Sequence, residues 1–101
     1  MADLPEGRRQ WYLGRFANKQ ADLRLVCRLN KTGQVVVDFQ VGKTESNNRI
    51  IRYLGNDEFC PSGVPSVRFR FAIQKETATS VTIRGSVPEV TLQRSGGLAG
   101  W

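Results

Sequence analysis

Hydrophobic and polar residues alternate along much of this chain, most sharply over residues 66–74, Ser-Val-Arg-Phe-Arg-Phe-Ala-Ile-Gln. Val67, Phe69, Phe71 and Ile73 fall on one side of an extended backbone, and Arg68, Arg70, Ala72 and Gln74 on the other. A period of two predicts a strand with one buried face and one wet face. Two inward phenylalanines need a thick apolar layer opposite them, so the pattern puts this strand mid-sheet over a core. Residues 23–29 repeat it, with Leu23, Leu25, Cys27 and Leu29 inward and Arg24, Val26 and Arg28 outward. Asn30-Lys31-Thr32-Gly33 then supplies a turn whose glycine can take positive φ. Residues 34–41 return with Val35, Val37, Phe39 and Val41 on one face, completing a β-hairpin.

The other segments carry weaker versions of the same signal. Residues 1–10 are polar, with Pro5 and Gly7, and read as a loose lead-in. In Trp11-Tyr12-Leu13-Gly14-Arg15-Phe16, Tyr12 and Phe16 would share a helix face, and Pro5 with Glu6 would suit a helical first turn. Gly14 weakens a helix interior and aromatics at this density favour a strand, so a short strand with Gly14 at a bend or bulge is expected. Residues 42–48 are polar and turn-rich and read as a loop. Arg49-Ile50-Ile51-Arg52-Tyr53-Leu54 is a β-rich run, Gly55-Asn56-Asp57 a turn, Glu58-Phe59-Cys60 a brief strand and Pro61-Ser62-Gly63 a second turn. Residues 75–79 read as a loop. Short strands follow over 80–84, with Val81 and Ile83, and over 89–94, with Val90 and Leu92, separated by Gly85, Ser86 and Pro88. Residues 95–101, ending in Trp101, have the composition of a flexible tail.

Seven or eight short strands with no convincing helix predict an all-β antiparallel meander. Curling into a small barrel would remove its exposed edges. An open β-sandwich or an OB-like barrel is the alternative. The expected division is a lead-in over 1–10, one barrel domain over 11–94 and a tail over 95–101.

Taken in order, these segments resemble the small lipocalin-like β domains at the C-terminus of serine β-lactamase-like hydrolases and peptidases. The resemblance runs from Tyr12 to Arg94. It rests on Tyr12-Leu13-Gly14-Arg15-Phe16, the hairpin over 23–41, Leu54-Gly55-Asn56-Asp57-Glu58-Phe59, Val67-Arg68-Phe69-Arg70-Phe71, Val81-Thr82-Ile83, Gly85 and the basic strand end at Arg94. It implies an eight-stranded barrel that is accessory to catalysis and holds no catalytic group. The expectation departs from that family in one respect, a barrel standing alone with no hydrolase domain ahead of it. Residues 61–73, with Asn48-Arg49-Ile50-Ile51, also resemble part of bacterial single-strand-binding and primosomal OB-fold proteins. Only about thirty residues follow Ala72, too few for that fold's remaining strands.

A chain of 101 residues, 40% of them hydrophobic, has room for one core and no second domain. No run approaches the roughly 18–20 apolar residues of a membrane-spanning helix. No stretch near the start has signal-peptide character, so a cytoplasmic setting without membrane partners is expected. Histidine is absent altogether, which removes histidine-assisted nucleophiles and histidine-containing metal sites. Cys27 and Cys60 cannot alone make a four-thiolate site. Cys27 falls on an apolar face as a core residue, and Cys60, before Pro61 in a turn, is expected to be partly exposed. Asp22, Asp38, Asp57, Glu58 and Glu89 show no spacing that pairs two carboxylates for acid–base work. The expectation is a protein that is no enzyme and needs no cofactor or metal.

Two binding readings follow. A small barrel offers its interior, where Trp11, Phe16, Phe39, Tyr53, Phe69 and Phe71 could line a pocket for a small apolar molecule or shape a surface for a partner protein. Alternatively, the net charge of +6 suits a polyanion. Arg24, Arg28, Arg68 and Arg70 face outward, with Arg49, Arg52, Arg84 and Arg94 on other strands, and neighbours would join into a stripe for single-stranded nucleic acid. The aromatics fall mostly on the opposite, buried parity, which removes them from base stacking. Interaction with a further copy or another protein through an exposed strand or Trp101 is a third course.

Overall fold

A computed structural model of the chain describes residues 6–64, 66–85 and 89–96. Its eight strands are β1 (Gly14–Asn18), β2 (Leu23–Leu29), β3 (Val35–Val41), β4 (Thr44–Gly55), β5 (Glu58–Pro61), β6 (Arg68–Gln74), β7 (Thr77–Arg84) and β8 (Val90–Gly96). Each pairs antiparallel with the next, and β8 returns to β1, so the meander closes into a barrel. Closure gives every strand two neighbours, and the open sandwich is not adopted. The strand expected at mid-sheet, β6, is therefore one of eight equivalent staves.

The core follows the alternation. Leu23, Leu25 and Cys27 of β2, Val35 and Val37 of β3, Phe69 and Phe71 of β6, Val81 and Ile83 of β7 and Leu92 of β8 are all buried. Val41 departs from its expected inward face and is 41% exposed, because β3 has reached the rim at the next turn. Val36 departs the other way. It has outward parity yet is 1% exposed, in register between Arg28 and Ile50.

Two expected loops turn out to be strand. Residues 42–48 contain only a two-residue turn, Gly42-Lys43, with Gly42 at φ 57, and β4 begins at Thr44. The polar run Thr44-Glu45-Ser46 pairs with Val41, Gln40 and Phe39, so the hydrogen-bonding partner makes a strand where the side chains gave no signal. Asn48, at φ 60, marks a bulge in this ladder. In 75–79 the turn is again two residues, Lys75-Glu76 at φ 52 and 63, and Thr77 starts β7. Asn56-Asp57 has the same backbone, at φ 53 and 63. Positive φ at both positions matches the twist of paired strands.

The strand expected from Trp11 begins later, at Gly14. Ahead of it, Glu6–Tyr12 is a 3-10 helix, so the expected lead-in is helical from Glu6. In such a helix residues three apart eclipse, and the Arg8 guanidinium lies 4.8 Å from the Trp11 ring centre. Tyr12 drops into the end of the barrel with no exposed surface. Gly14, at φ 145, makes the bend from helix to strand. Ser95 and Gly96, expected in the tail, extend β8, while residues 1–5, Pro65, 86–88 and 97–101, with Trp101, lie outside the described residues.

Candidate functional site

The interior is the first place to look for a ligand. In the half covered by the 3-10 helix it is filled with aromatic rings. Tyr12 meets Phe59 at 4.9 Å and Phe71 at 5.2 Å, both edge to face, and Phe59 meets Phe71 at 5.4 Å. Phe16 joins through Phe71 at 5.8 Å, and Tyr53 through Phe59 at 5.2 Å. Edge-to-face contacts of this kind add to burial, and a molecule placed here would have to displace them. Of the six aromatics singled out from the sequence, Phe16, Phe69 and Phe71 are buried core. Trp11, Phe39 and Tyr53 are half-buried and packed against that core. Tyr12 and Phe59, which the sequence did not mark as interior, are its centre.

The Tyr12 hydroxyl donates to Asp57 Oδ1 at 2.6 Å, tying the helix to the β4–β5 turn. Burial and this carboxylate hold the phenol well above its ordinary pKa. Arg94 also belongs to the interior, contrary to a place in an outer stripe. It shares parity with Leu92 and stands in register with Phe16. Its Nη2 donates to the Leu13 carbonyl at 2.8 Å, its Nε to the Ala78 carbonyl, and its guanidinium lies 5.1 Å from the centre of the Phe16 ring. Burial pushes its pKa down and pushes the nearby Cys27 thiol up to about 12.

The outer surface holds the other arginines. Arg24 and Arg28 lie on β2, and Arg68 and Arg70 on β6, four places apart in a ring of eight strands. Closure puts these pairs on opposite walls, and they form no common stripe. Arg28 is bound to Asp38 through two contacts, 2.8 and 3.2 Å, and also donates to Asn48. The ion pair raises the Arg28 pKa and, with the Asn48 amide, lowers that of Asp38. Arg24 is exposed, and three open depressions of about 200, 270 and 260 Å³ meet at it.

On the other wall the register builds a row. Arg52 of β4 stands beside Cys60 of β5, and Arg68 of β6 beside Arg84 of β7. Arg68 Nη1 reaches Cys60 Sγ at 3.4 Å, and Arg84 reaches Glu89 at 3.7 Å. Beside it runs a second row, Glu58, Arg70, Thr82 and Thr91, with Arg70 and Glu58 3.3 Å apart. The sequence placed Arg52 and Arg84 only on other strands; their facing and their place next to Arg68 depend on the register. The acids singled out from the sequence are mostly accounted for structurally: Asp38, Asp57, Glu58 and Glu89 each hold one of these partners.

Among the described residues, no three of the Cys, Asp and Glu side chains gather where they could hold a metal ion. No helix there is long and apolar enough to cross a membrane. Comparisons with protein-family models, curated proteins and solved structures find no match to this chain.

Proposed function

We propose that this chain is a non-catalytic β-barrel module that binds single-stranded nucleic acid on its outer surface, through the phosphate backbone. The observation that carries this is the division of labour between its cations. All four lysines, Lys19, Lys31, Lys43 and Lys75, lie in the connections between strands, and all nine arginines from Arg15 onward lie in strands. Arginine is the planar, bidentate partner of phosphate oxygens, whereas lysine is a flexible point charge. Lysine is mildly depleted in strands on its own account, so the weight lies on the strand arginines themselves as ready phosphate partners. The resemblance to accessory barrels of β-lactamase-like hydrolases fits a module with no catalytic group of its own.

The competing reading places an apolar molecule in the barrel interior or docks the module onto a partner protein. The ring cluster around Tyr12 and Phe59 weighs against it at the helix-covered end. With the aromatics turned inward, the nucleic acid would be held by charge more than by stacking, and binding would be indifferent to base sequence. The test is fluorescence anisotropy with labelled single-stranded DNA and RNA at low and moderate salt. The expected result is binding to both that weakens steeply as salt rises. Absent or salt-insensitive binding at low ionic strength overturns the proposal.

A further inference from the structure

We infer that the contact surface is one wall of the barrel, the arginine row of Arg52, Arg68 and Arg84 across β4–β7, and that its ligand is the phosphate backbone of a single nucleic-acid strand lying across the staves. The inference rests on the nucleic-acid reading and narrows it to a place. Adjacent strands are about 4.8 Å apart, so three strand intervals from β4 to β7 span about 14 Å, a reach suited to several consecutive nucleotides. The row is held by the sheet itself. Arg68 and Arg84 are direct cross-strand neighbours, a like-charge pairing that costs stability and that Glu89, 3.7 Å from Arg84, offsets in part.

The register chooses this wall over the opposite one: Arg68 and Arg84 are paired across β6 and β7, whereas Arg15, Arg24 and Arg28 face Val26, Ala17, Gln40 and Val36 across β1–β3. On this wall Arg70 stands 3.3 Å from Glu58 and Arg84 3.7 Å from Glu89. On the opposite wall Arg28 is tied to Asp38 through two contacts. The depressions around Arg24 are separate hollows, one of them lined also by Asp38 and Glu45 and another by Asp22. They suit a small ligand of mixed charge better than a continuous chain of phosphates.

Two variants of equal charge test the assignment. In one, Arg52, Arg68 and Arg84 become glutamine. In the other, Lys19, Arg24 and Lys43, all exposed and away from the row, become glutamine. Each phosphate contact contributes about 0.7 to the slope of log K against log salt for a single strand, so loss of three contacts lowers the slope by about 2. That corresponds to a loss of roughly 100-fold in affinity at 0.1 M salt. The second variant is expected to keep the wild-type slope within about 0.5. Equal loss in both variants, or none in the first, overturns the row while leaving the binding reading intact. No binding by the wild-type protein at low salt overturns both.

Should the first variant fail to fold, Cys60 provides the same test without touching an arginine. Its half-buried thiol lies between Arg52 and Arg68, whereas Cys27 is fully buried. A sulfonate-bearing methanethiosulfonate attached there is expected to weaken binding at least tenfold. A trimethylammonium analogue of similar size is expected to leave it unchanged or tighten it. Equal effects of the two reagents overturn the row.

Discussion

Gly14 carries the sharpest consequence of the way the barrel is closed. The perturbation is Gly14→Ala. A Cβ at this position would lie 2.2 Å from Arg94 Nη1 and 2.8 Å from Cζ, and the backbone sits at φ 145. That conformation is essentially closed to residues with a side chain, and holding one there costs about 1–3 kcal/mol. The guanidinium can swing aside, but only by leaving the Leu13 carbonyl that Nη2 meets at 2.8 Å. A hydrogen bond from a charged group contributes about 1.5–3 kcal/mol. The two effects together predict a loss of about 3–5 kcal/mol, a large share of the roughly 5–15 kcal/mol typical of a folded domain. Urea unfolding of wild type, Gly14→Ala, Arg94→Met and the double variant measures it. The methionine removes the group that the methyl strikes, so the alanine should cost about 2 kcal/mol less in that background. If Gly14→Ala costs under about 1 kcal/mol, or costs the same with and without Arg94, the account of a glycine required by the arginine is wrong.

Two further outcomes are expected. Asp38 has a lowered pKa because Arg28 and the Asn48 amide favour its charged form. Its contribution is therefore present above the unfolded value, near 4, and lost as pH falls through the lower folded value. Asp38→Asn should cost about 1 kcal/mol at pH 7, since both partners are about 30% exposed. The difference from wild type in urea melts should close by about pH 2–3; a gap that stays constant with pH would remove the ion pair from the explanation. Thiol titration should find one reactive cysteine, Cys60, in the native protein and two in urea, because burial both hides Cys27 and raises its thiol to about 12. Two thiols reacting at equal rates before unfolding would contradict the packing around Cys27.

The parts of the fold legible in the sequence are those in which side chains and backbone agree. The β2–β3 hairpin is one: alternation sets both faces, and Asn30 and Gly33 fit the turn, with Gly33 at φ 82 and Asn30 Oδ1 accepting from the amides of Thr32 and Gln34. The start of β4 is the opposite case, since a polar run becomes a strand by borrowing the ladder of β3. Lys75-Glu76 gives no hint of two positive φ values, which its neighbours' pairing imposes on it. The 3-10 helix is held by Tyr12 reaching Phe59 and Asp57, more than forty positions away, and no local pattern carries that. As for the candidate site, parity was enough to turn Arg68 outward, while Arg52 and Arg84 were placed only on other strands. Which of them stand side by side, and which arginines fall on the far wall, depends on closure and register, both set by distant partners.

The register of the β6–β7 hairpin in turn depends on a single irregularity. Near the turn, Gln74 faces Thr77 and Ile73 faces Ala78; beyond it, Ala72 faces Ser80 and Arg68 faces Arg84. One extra residue on β7, Thr79, is accommodated between these two registers, with its hydroxyl donating to the Ala72 carbonyl at 3.2 Å. Continued without that bulge, the register of the turn would set Ile83 beside Arg68. A one-residue slip sends every side chain of a strand to the other face, so Val81 and Ile83 would turn to solvent and Thr82 and Arg84 into the core. The bulge thus satisfies two demands at once. It lets a two-residue turn close the hairpin, and it brings both the apolar residues of β7 and its arginine to their proper sides. The basic row and the hydrophobic core are consequences of the same register, and a change that shifts one must shift the other.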